Sequence, residues 1–133
     1  MTKYSAYGTA LKRGTVEIAQ VTSISGPGIS LDTVDVTEHD GDGWEEVVPT
    51  ILRSGEVTLE IAYDPADTTH KNASGGLLYD LVQRASSVYT LTFPSSHSWS
   101  FSAYVTGFEP SAPVDGALTA SVTLKITGAV TLP

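Results

Sequence analysis

Strict alternation of apolar and polar side chains in residues 117–127 is the feature that most constrains the fold. Successive side chains of a strand point to opposite faces of its sheet, so alternation separates two surfaces. The apolar set comprises Leu118, Ala120, Val122, Leu124 and Ile126, and the polar set comprises Thr119, Ser121, Thr123, Lys125 and Thr127. The pattern predicts a long strand with one face packed on a core and a polar opposite face.

Shorter strand patterns recur along the chain, at residues 15–24, 29–36, 55–63, 88–93 and 99–108. The first two contain phase slips that indicate a bulge or bend. A helical pattern occupies residues 74–85, where Leu77, Leu78, Leu81 and Val82 predict one apolar face against the sheet. The sequence therefore predicts a mainly β protein, an antiparallel β-sandwich or barrel-like domain with one packed α-helix and a long loop.

A length of 133 residues favours a single domain over residues 1–133. We expect residues 1–14 to form an N-terminal arm and residues 37–55 to form a long inter-strand loop. This loop carries five side chains that are too apolar for a permanently solvated segment, namely Trp44, Val47, Val48, Ile51 and Leu52. They predict a subunit interface. For Trp44, packing on its own domain is an equal alternative.

The charge distribution disfavours binding of the chain to nucleic acid. The formal net charge is −8, and no Lys or Arg occurs between Arg13 and Arg53. Phosphate binding needs clustered basic side chains, which this chain lacks. It contains no cysteine, so disulfides are excluded. No apolar run approaches the roughly eighteen residues that span a bilayer, and we expect no membrane partner.

Catalytic patterns give no support to an enzyme. The three histidines, His39, His70 and His97, lie in polar stretches and read as solvated loop residues without metal-ligand spacing. The run from Asp40 to Trp44 fails the calcium-loop pattern, since Glu45 stands where glycine is required. Neither a G-x-S-x-G motif nor a phosphate-binding loop is present. We expect no catalytic residue, no cofactor and no metal.

Several runs resemble those of a known family. They are I-A-Q-V-T-S-I-S-G-P-G-I-S-L-D-T-V-D-V-T at 18–37, G-E-V-T-L-E-I-A-Y-D-P at 55–65, G-L-L-Y-D-L-V at 76–82, L-T-F-P at 91–94, and the segment 101–128, which includes S-A-P-V-D-G. Together they resemble the tail tube proteins of phages with long, non-contractile tails, the lambda-like major tail proteins. The similarity extends over nearly the whole chain.

The resemblance implies a β-sandwich-like domain that assembles as stacked hexameric rings into a phage tail tube, the conduit for DNA delivery. It implies contacts within and between rings through residues 1–14 and 37–55, and tape measure, tail terminator and tail tip proteins as partners. It places the chain in the virion tail, and in the host cytoplasm during assembly. DNA would pass through without specific binding.

Two polar strand faces are candidates for the wall of such a channel. One carries Thr58 and Glu60, and the other carries Thr119, Ser121 and Thr123. The sequence does not decide between them. Other functions stay open at this point: the tube protein of a phage-derived secretion or gene-transfer device, a β-sandwich binding module of a surface protein, or, with least support, an enzyme.

Overall fold

Antiparallel strands make up most of the computed structural model, which describes residues 7–38, 43–94 and 97–133. In chain order the elements are β1 (Ala10–Arg13), β2 (Val16–Glu17), β3 (Val21–Ser25), β4 (Ser30–Asp35), β5 (Val47–Arg53), β6 (Glu56–Ala62), α1 (Leu77–Gln83), β7 (Ser86–Thr92), β8 (Ser98–Ser111) and β9 (Thr119–Thr131). Seven of the described strands form one sheet in the order β2-β1-β7-β8-β9-β6-β3, while β4 pairs with β5. The predicted class, mainly β with one helix, is confirmed.

The core lies on one face of the seven-stranded sheet, where the predicted alternation places its apolar side chains. In β6, Val57, Leu59 and Ile61 are fully buried. In β9 the buried residues are Ala120, Val122, Leu124 and Ile126, and in β8 they are Phe101, Ala103 and Val105. Each fully buried aliphatic side chain stabilises the fold by about 1.5–3 kcal/mol. Leu118 precedes β9 and remains 38% exposed, unlike its predicted companions.

Residues 37–55 are not one long loop, because β5 occupies Val47–Arg53 within them. This strand pairs with β4 in a two-stranded antiparallel ribbon, with Leu31 opposite Leu52 and Val34 opposite Val48. Every residue of β5 is exposed, so burial never imposed an alternating pattern that sequence inspection could detect. We call residues 30–53 the ribbon; positions 39–42 at its connecting loop, with His39, Asp40 and Asp42, lie outside the described residues.

The N-terminal segment is also more structured than an arm. Strand β1 pairs with β7, placing Leu11 opposite Leu91. Leu11 is fully buried, which ties residues 10–13 into the core. A four-residue strand is too short to show a clear periodicity, and this explains the difference from the expectation for 1–14. Residues 1–6 of that prediction lie outside the described part of the chain.

Helix α1 is shorter than the predicted 74–85 and turns a different face to the sheet. Leu77 is fully buried and Leu81 packs against the core, as expected. Val82 is 56% exposed, contrary to the prediction. It lies five residues after Leu77, which rotates it by about 140° around the helix axis. The position facing the sheet belongs instead to Asp80, which is 1% exposed.

Asp80 is the centre of a buried polar network that joins the helix to the sheet. Arg13 Nε donates to Asp80 Oδ2 at 2.7 Å and its terminal nitrogen donates to Oδ1 at 2.9 Å. The hydroxyls of Tyr89 and Ser87 also donate to Oδ2, at 2.8 and 3.2 Å. Burial acts to raise the pKa of Asp80, but the hydrogen bonds from Arg13 and Tyr89 outweigh it and hold the pKa below its usual value. Burial and the same carboxylate raise the pKa of Tyr89.

His70 is fully buried, and its interpretation as a solvated loop histidine is wrong. The Asp64 backbone N–H donates to Nδ1 at 3.2 Å, so the proton lies on Nε2, which donates to the Ala19 carbonyl oxygen at 2.7 Å. The ring thereby fastens the β2–β3 connection to the segment that follows β6. His97, by contrast, is exposed.

Two glycines form the root of the ribbon. Gly26 has φ +96 and Gly55 has φ +67, values that favour glycine. A Cβ at Gly55 would lie 2.7 Å from the Gly28 carbonyl oxygen, and one at Gly26 would clash with the Glu56 carbonyl oxygen. Side chains are therefore sterically excluded where the ribbon leaves the main sheet. No helix in the described residues is long and apolar enough to cross a membrane.

Replacing Asp80 is expected to destabilise the domain, because Arg13 and Tyr89 lose a buried acceptor. Asp80→Ala should lower the free energy of unfolding by about 3 kcal/mol, the lower end for breaking a buried pair since Arg13 is partly exposed. Asp115→Ala, in an exposed turn, should change it by less than about 0.5 kcal/mol. Chemical denaturation at pH 7 measures both.

The ion pair between Arg13 and Asp80 predicts that the stability of the domain depends on pH. Folding lowers the pKa of the Asp80 carboxyl. Such a group stabilises the native state at pH values above its pKa in the unfolded chain, which is about 3.9. This contribution is lost as the pH falls through the pKa of the folded state. The stability difference between the native chain and Asp80→Asn should therefore be full at pH 6 and shrink below about pH 4. A difference that stays constant down to pH 2 would contradict this account.

Candidate channel face and assembly interface

The two polar strand faces considered in the sequence form one continuous surface. Strands β6 and β9 are neighbours, with Thr58 opposite Thr123 and Glu60 opposite Ser121. Thr119 lies opposite Ala62 at the end of the same ladder. Facing residues of an antiparallel pair project to the same side of the sheet. All five candidate channel residues are therefore together, on the side opposite the core.

This surface continues onto the flanking strands and is rich in hydroxyl groups. Glu109 lies opposite Ser121 on β8, and Ser23 lies opposite Glu60 on β3. We call the exposed side of β3, β6, β8 and β9 the polar face. Its charged groups are three carboxylates and one ammonium, from Glu56, Glu60, Glu109 and Lys125. The surface is thus weakly acidic and lacks any basic cluster that could hold a phosphate backbone.

The ribbon carries a second kind of surface, apolar on both sides. Ile51 and Leu52 are 57% and 73% exposed, and Val47 and Val48 are about half exposed. Trp44, next to the connecting loop, is 76% exposed, which disfavours packing of its ring in its own core. The five residues predicted for a subunit interface therefore all lie on the ribbon's exposed surface. A contiguous exposed apolar patch marks an interaction site more often than an isolated apolar residue does.

Sequence reasoning missed the other half of this apolar surface. On β4 and its flanks, Ile29, Leu31, Val34 and Val36 are also between 42% and 51% exposed. The sequence did contain an indication of this second apolar surface. In the predicted strand at 29–36, apolar residues occur at both odd and even positions, whereas a strand with one buried face needs them only at alternate positions. That side chains on both faces of β4 are exposed became evident only from the structure, in which β4 pairs with β5 in a separate two-stranded sheet.

Polar contacts stabilise the ribbon from within. Arg53 Nε donates to Asp32 Oδ2 at 2.7 Å across its base. Near the connecting loop, Glu46 N donates to Thr37 Oγ1 at 2.9 Å, and Thr37 Oγ1 donates to Asp35 Oδ1 at 2.6 Å. The Thr37 hydrogen bonds hold the pKa of Asp35 below its usual value. In residues 7–38, 43–94 and 97–133, no three carboxylate or imidazole groups converge to hold a metal ion.

Comparison with known proteins identifies the family of the chain. Residues 2–133 match the profile of the family described as lambda phage tail tube protein. The chain belongs to the lambda phage tail tube protein family. The resemblance seen in the sequence is thereby confirmed over residues 2–133. The family's role is structural, and this disfavours the reading as a surface binding module.

Solved structures share the fold at low sequence identity. A chain from the virion of a native gene transfer agent particle matches with TM-score 0.81 at 14% identity, over 98% of this chain and 99% of that one. A chain from the tail of an empty gene transfer agent particle, computed with C6 symmetry, matches with TM-score 0.78 at 13% identity, over 98% and 99%.

A third similar chain comes from an extracellular contractile injection system, PVC, whose structure shows its sheath/tube terminator in the extended state. It matches with TM-score 0.71 at 20% identity, over 100% of this chain and 98% of that one. At such identities the likeness shows a common fold. A search of curated protein sequences finds no significant match.

Truncation of a leucine should destabilise the subunit much less in the ribbon than in the core. Leu52→Ala should change the free energy of unfolding by less than about 0.5 kcal/mol, because the side chain is exposed in the subunit. Leu59→Ala removes the same atoms from a fully buried site and should cost about 2–5 kcal/mol. Denaturation of the isolated subunit measures both, and a large loss for Leu52→Ala would show that the ribbon packs on its own domain.

Proposed function

We propose that this tail tube protein polymerises as stacked hexameric rings into a tube that conducts DNA from the virion into the host. The observation that carries the proposal is the ribbon, whose apolar side chains on both strands are about half or more exposed in the described part of the subunit. Burying such side chains in an interface gains about 25 cal/mol for each Å² removed from water. The C6 symmetry of the similar gene transfer agent tail supports six subunits in each ring.

In this assembly the ribbon residues Trp44, Val47, Val48, Ile51 and Leu52 form subunit contacts. A two-stranded ribbon is at best marginally stable in water by itself, so contact with a neighbouring subunit also stabilises its strands. The N-terminal residues that precede β1 supply a further contact within or between rings.

The polar face lines the channel. It presents Thr58, Glu60, Thr119, Ser121 and Thr123 together on one side of the broadest strands, while the other side is filled by the core. Carboxylates repel the phosphate backbone within a screening length of about 8 Å at physiological salt. Hydroxyl groups bind water readily and offer no fixed charge to phosphate. A duplex therefore passes along this wall without specific binding.

The partners are further copies of this chain, a tape measure protein inside the tube, and tail terminator and tail tip proteins at its ends. The occurrence of the same fold in a particle with a sheath/tube terminator supports an end-capping partner. Subunits assemble in the host cytoplasm and remain in the virion tail. The chain performs this role without catalysis or a cofactor.

A phage-derived gene-transfer or secretion device is the second candidate. It is favoured by the strong fold similarity to a gene transfer agent chain and to an injection-system chain. Both candidates require a tube with the same subunit contacts. A secretion device differs from a phage tail in its cargo, which is protein, whereas a gene transfer particle carries DNA as a phage tail does.

Electron microscopy of the purified protein tests tube formation. The native chain should form rings or tubes as its concentration is raised, and Ile51→Asp should abolish them while leaving a folded subunit, because a charge replaces an exposed apolar contact. Val82→Asp is the matched control, since Val82 is equally exposed but lies on α1. Dispersed monomers of the native chain at every concentration would refute the proposal.

Lysines on the polar face test the channel assignment. Virions with Glu60→Lys and Ser121→Lys together place two adjacent ammonium groups on the wall, and ejection of DNA should slow, more so at low salt, because the lysines bind phosphate. Val82→Lys adds a charge on the helix side and should leave ejection unchanged. Normal ejection with both polar-face lysines would show that these strands do not line the channel.

A further inference from the structure

Lys125 is the only basic side chain in β3, β6, β8 and β9, the four strands that form the polar face. It is exposed near the middle of β9, which lies between β8 and β6 in the sheet. An exposed ammonium group is the kind of group that binds a phosphate backbone and releases its counterions. On a wall along which DNA moves, this lysine would be a point of attachment.

A carboxylate stands directly opposite this lysine. Glu56 of β6 faces Lys125 in the antiparallel ladder, and both side chains are exposed. On its other flank the lysine faces Tyr104 of β8, which is uncharged. Facing residues project to the same side of the sheet, with Cβ atoms about 4.5–5.5 Å apart. This spacing keeps the two opposite charges within about one screening length of each other, about 8 Å at physiological salt. Their fields therefore partly cancel for a phosphate that approaches from farther away.

The other basic side chains of the described strands follow the same rule. Each of them also faces a carboxylate of a neighbouring element. The pairs are Lys12–Glu17, Arg13–Asp80, Arg53–Asp32 and Lys125–Glu56. Lys12 projects to the same side of the sheet as the polar face, because its neighbour Leu11 points into the core. Both strand lysines on that side of the sheet are therefore compensated.

The other carboxylates of the polar face do not follow the converse rule. Glu60 faces Ser121 in one ladder and Ser23 in the other. Glu109 faces Ser121 from the opposite side. These acids are left uncompensated, whereas the lysine is not. A surface in contact with a polyanion requires this asymmetry, since an uncompensated carboxylate repels phosphate and an uncompensated ammonium binds it.

We propose that Glu56 masks Lys125 on the channel wall, so that passing DNA meets no free ammonium group there. This inference rests on the proposed function, in which the polar face lines the channel. It gives Glu56 a role that differs from that of Glu60, because Glu60 repels the backbone directly and Glu56 cancels a cation. A cross-strand charge pair also stabilises its sheet. Single substitutions of the two partners distinguish that structural role from masking.

Neutral substitutions in virions test the masking. Glu56→Gln leaves Lys125 uncompensated and should slow DNA ejection by about two- to fivefold at low salt, the range for one exposed charge pair. The slowing should fade at high salt, because the ammonium group is then screened. Lys125→Gln leaves no cation to mask and should eject DNA at the native rate. Combining Glu56→Gln with Lys125→Gln should restore the native rate.

Glu109→Gln is the matched control. It removes one negative charge from the same face, as Glu56→Gln does, but the residue opposite Glu109 in the ladder is a serine. It should slow ejection less, because it weakens the repulsion of phosphate without freeing a cation. Both glutamates are exposed, so neither substitution should unfold the subunit. Circular dichroism of each variant and electron microscopy of the tails verify the fold and the tube.

The outcomes separate masking from the channel assignment itself. Equal slowing by Glu56→Gln and Glu109→Gln would mean that net charge alone matters, and slowing by Lys125→Gln would mean that the pair acts by holding the sheet; either result overturns the masking. If the two polar-face lysines slow ejection and Glu56→Gln does not, the channel assignment stands and the masking is wrong. If none of these variants changes ejection, the polar face does not line the channel, and this inference is refuted with that assignment.

Discussion

Antiparallel pairing of β9 with β6 on one side and β8 on the other is the interaction on which the rest of the structure depends. Because side chains alternate, a slip of one residue in either ladder would exchange the core set for the polar set. Val122 and Leu124 are fully buried, so such a slip is strongly disfavoured. The irregularity between Val105 and Gly107 in β8 changes the phase once and returns Phe108 to the core side. One register therefore fixes the core and the polar face together.

Alternation made the central strands predictable, and its absence explains what was missed. Strands β6, β8 and β9 each have one buried face, so their sequences record it. Strand β5 is exposed on both faces and contains Pro49, and nothing in its pattern distinguishes it from a loop. Burial of His70 depends on the Ala19 carbonyl oxygen and the Asp64 N–H. Ala19 is distant in sequence, so a local pattern does not reveal that partner.

The composition of the candidate functional surfaces was predictable, and their arrangement was not. Sequence reasoning selected Trp44, Ile51 and Leu52 because they are apolar in an acidic stretch, and their exposure agrees with that choice. It left two polar strand faces as alternatives, because local periodicity does not determine which strands are neighbours in the sheet. Residues 56–62 pair with residues 119–125 across a long insertion that includes the helix. Only this nonlocal pairing shows that Thr58 and Thr123 belong to one surface.

The steric exclusion at Gly26 and Gly55 has a consequence for how such a chain diversifies. A side chain is forbidden at those two points, whereas the ribbon beyond them contributes little to the core, since every residue of β5 is exposed. Substitutions in β5 therefore escape the penalty that core mutations carry. A chain with this fold can change the sequence of its ribbon at little cost in stability, whereas the two glycines and the buried face of the sheet tolerate few replacements.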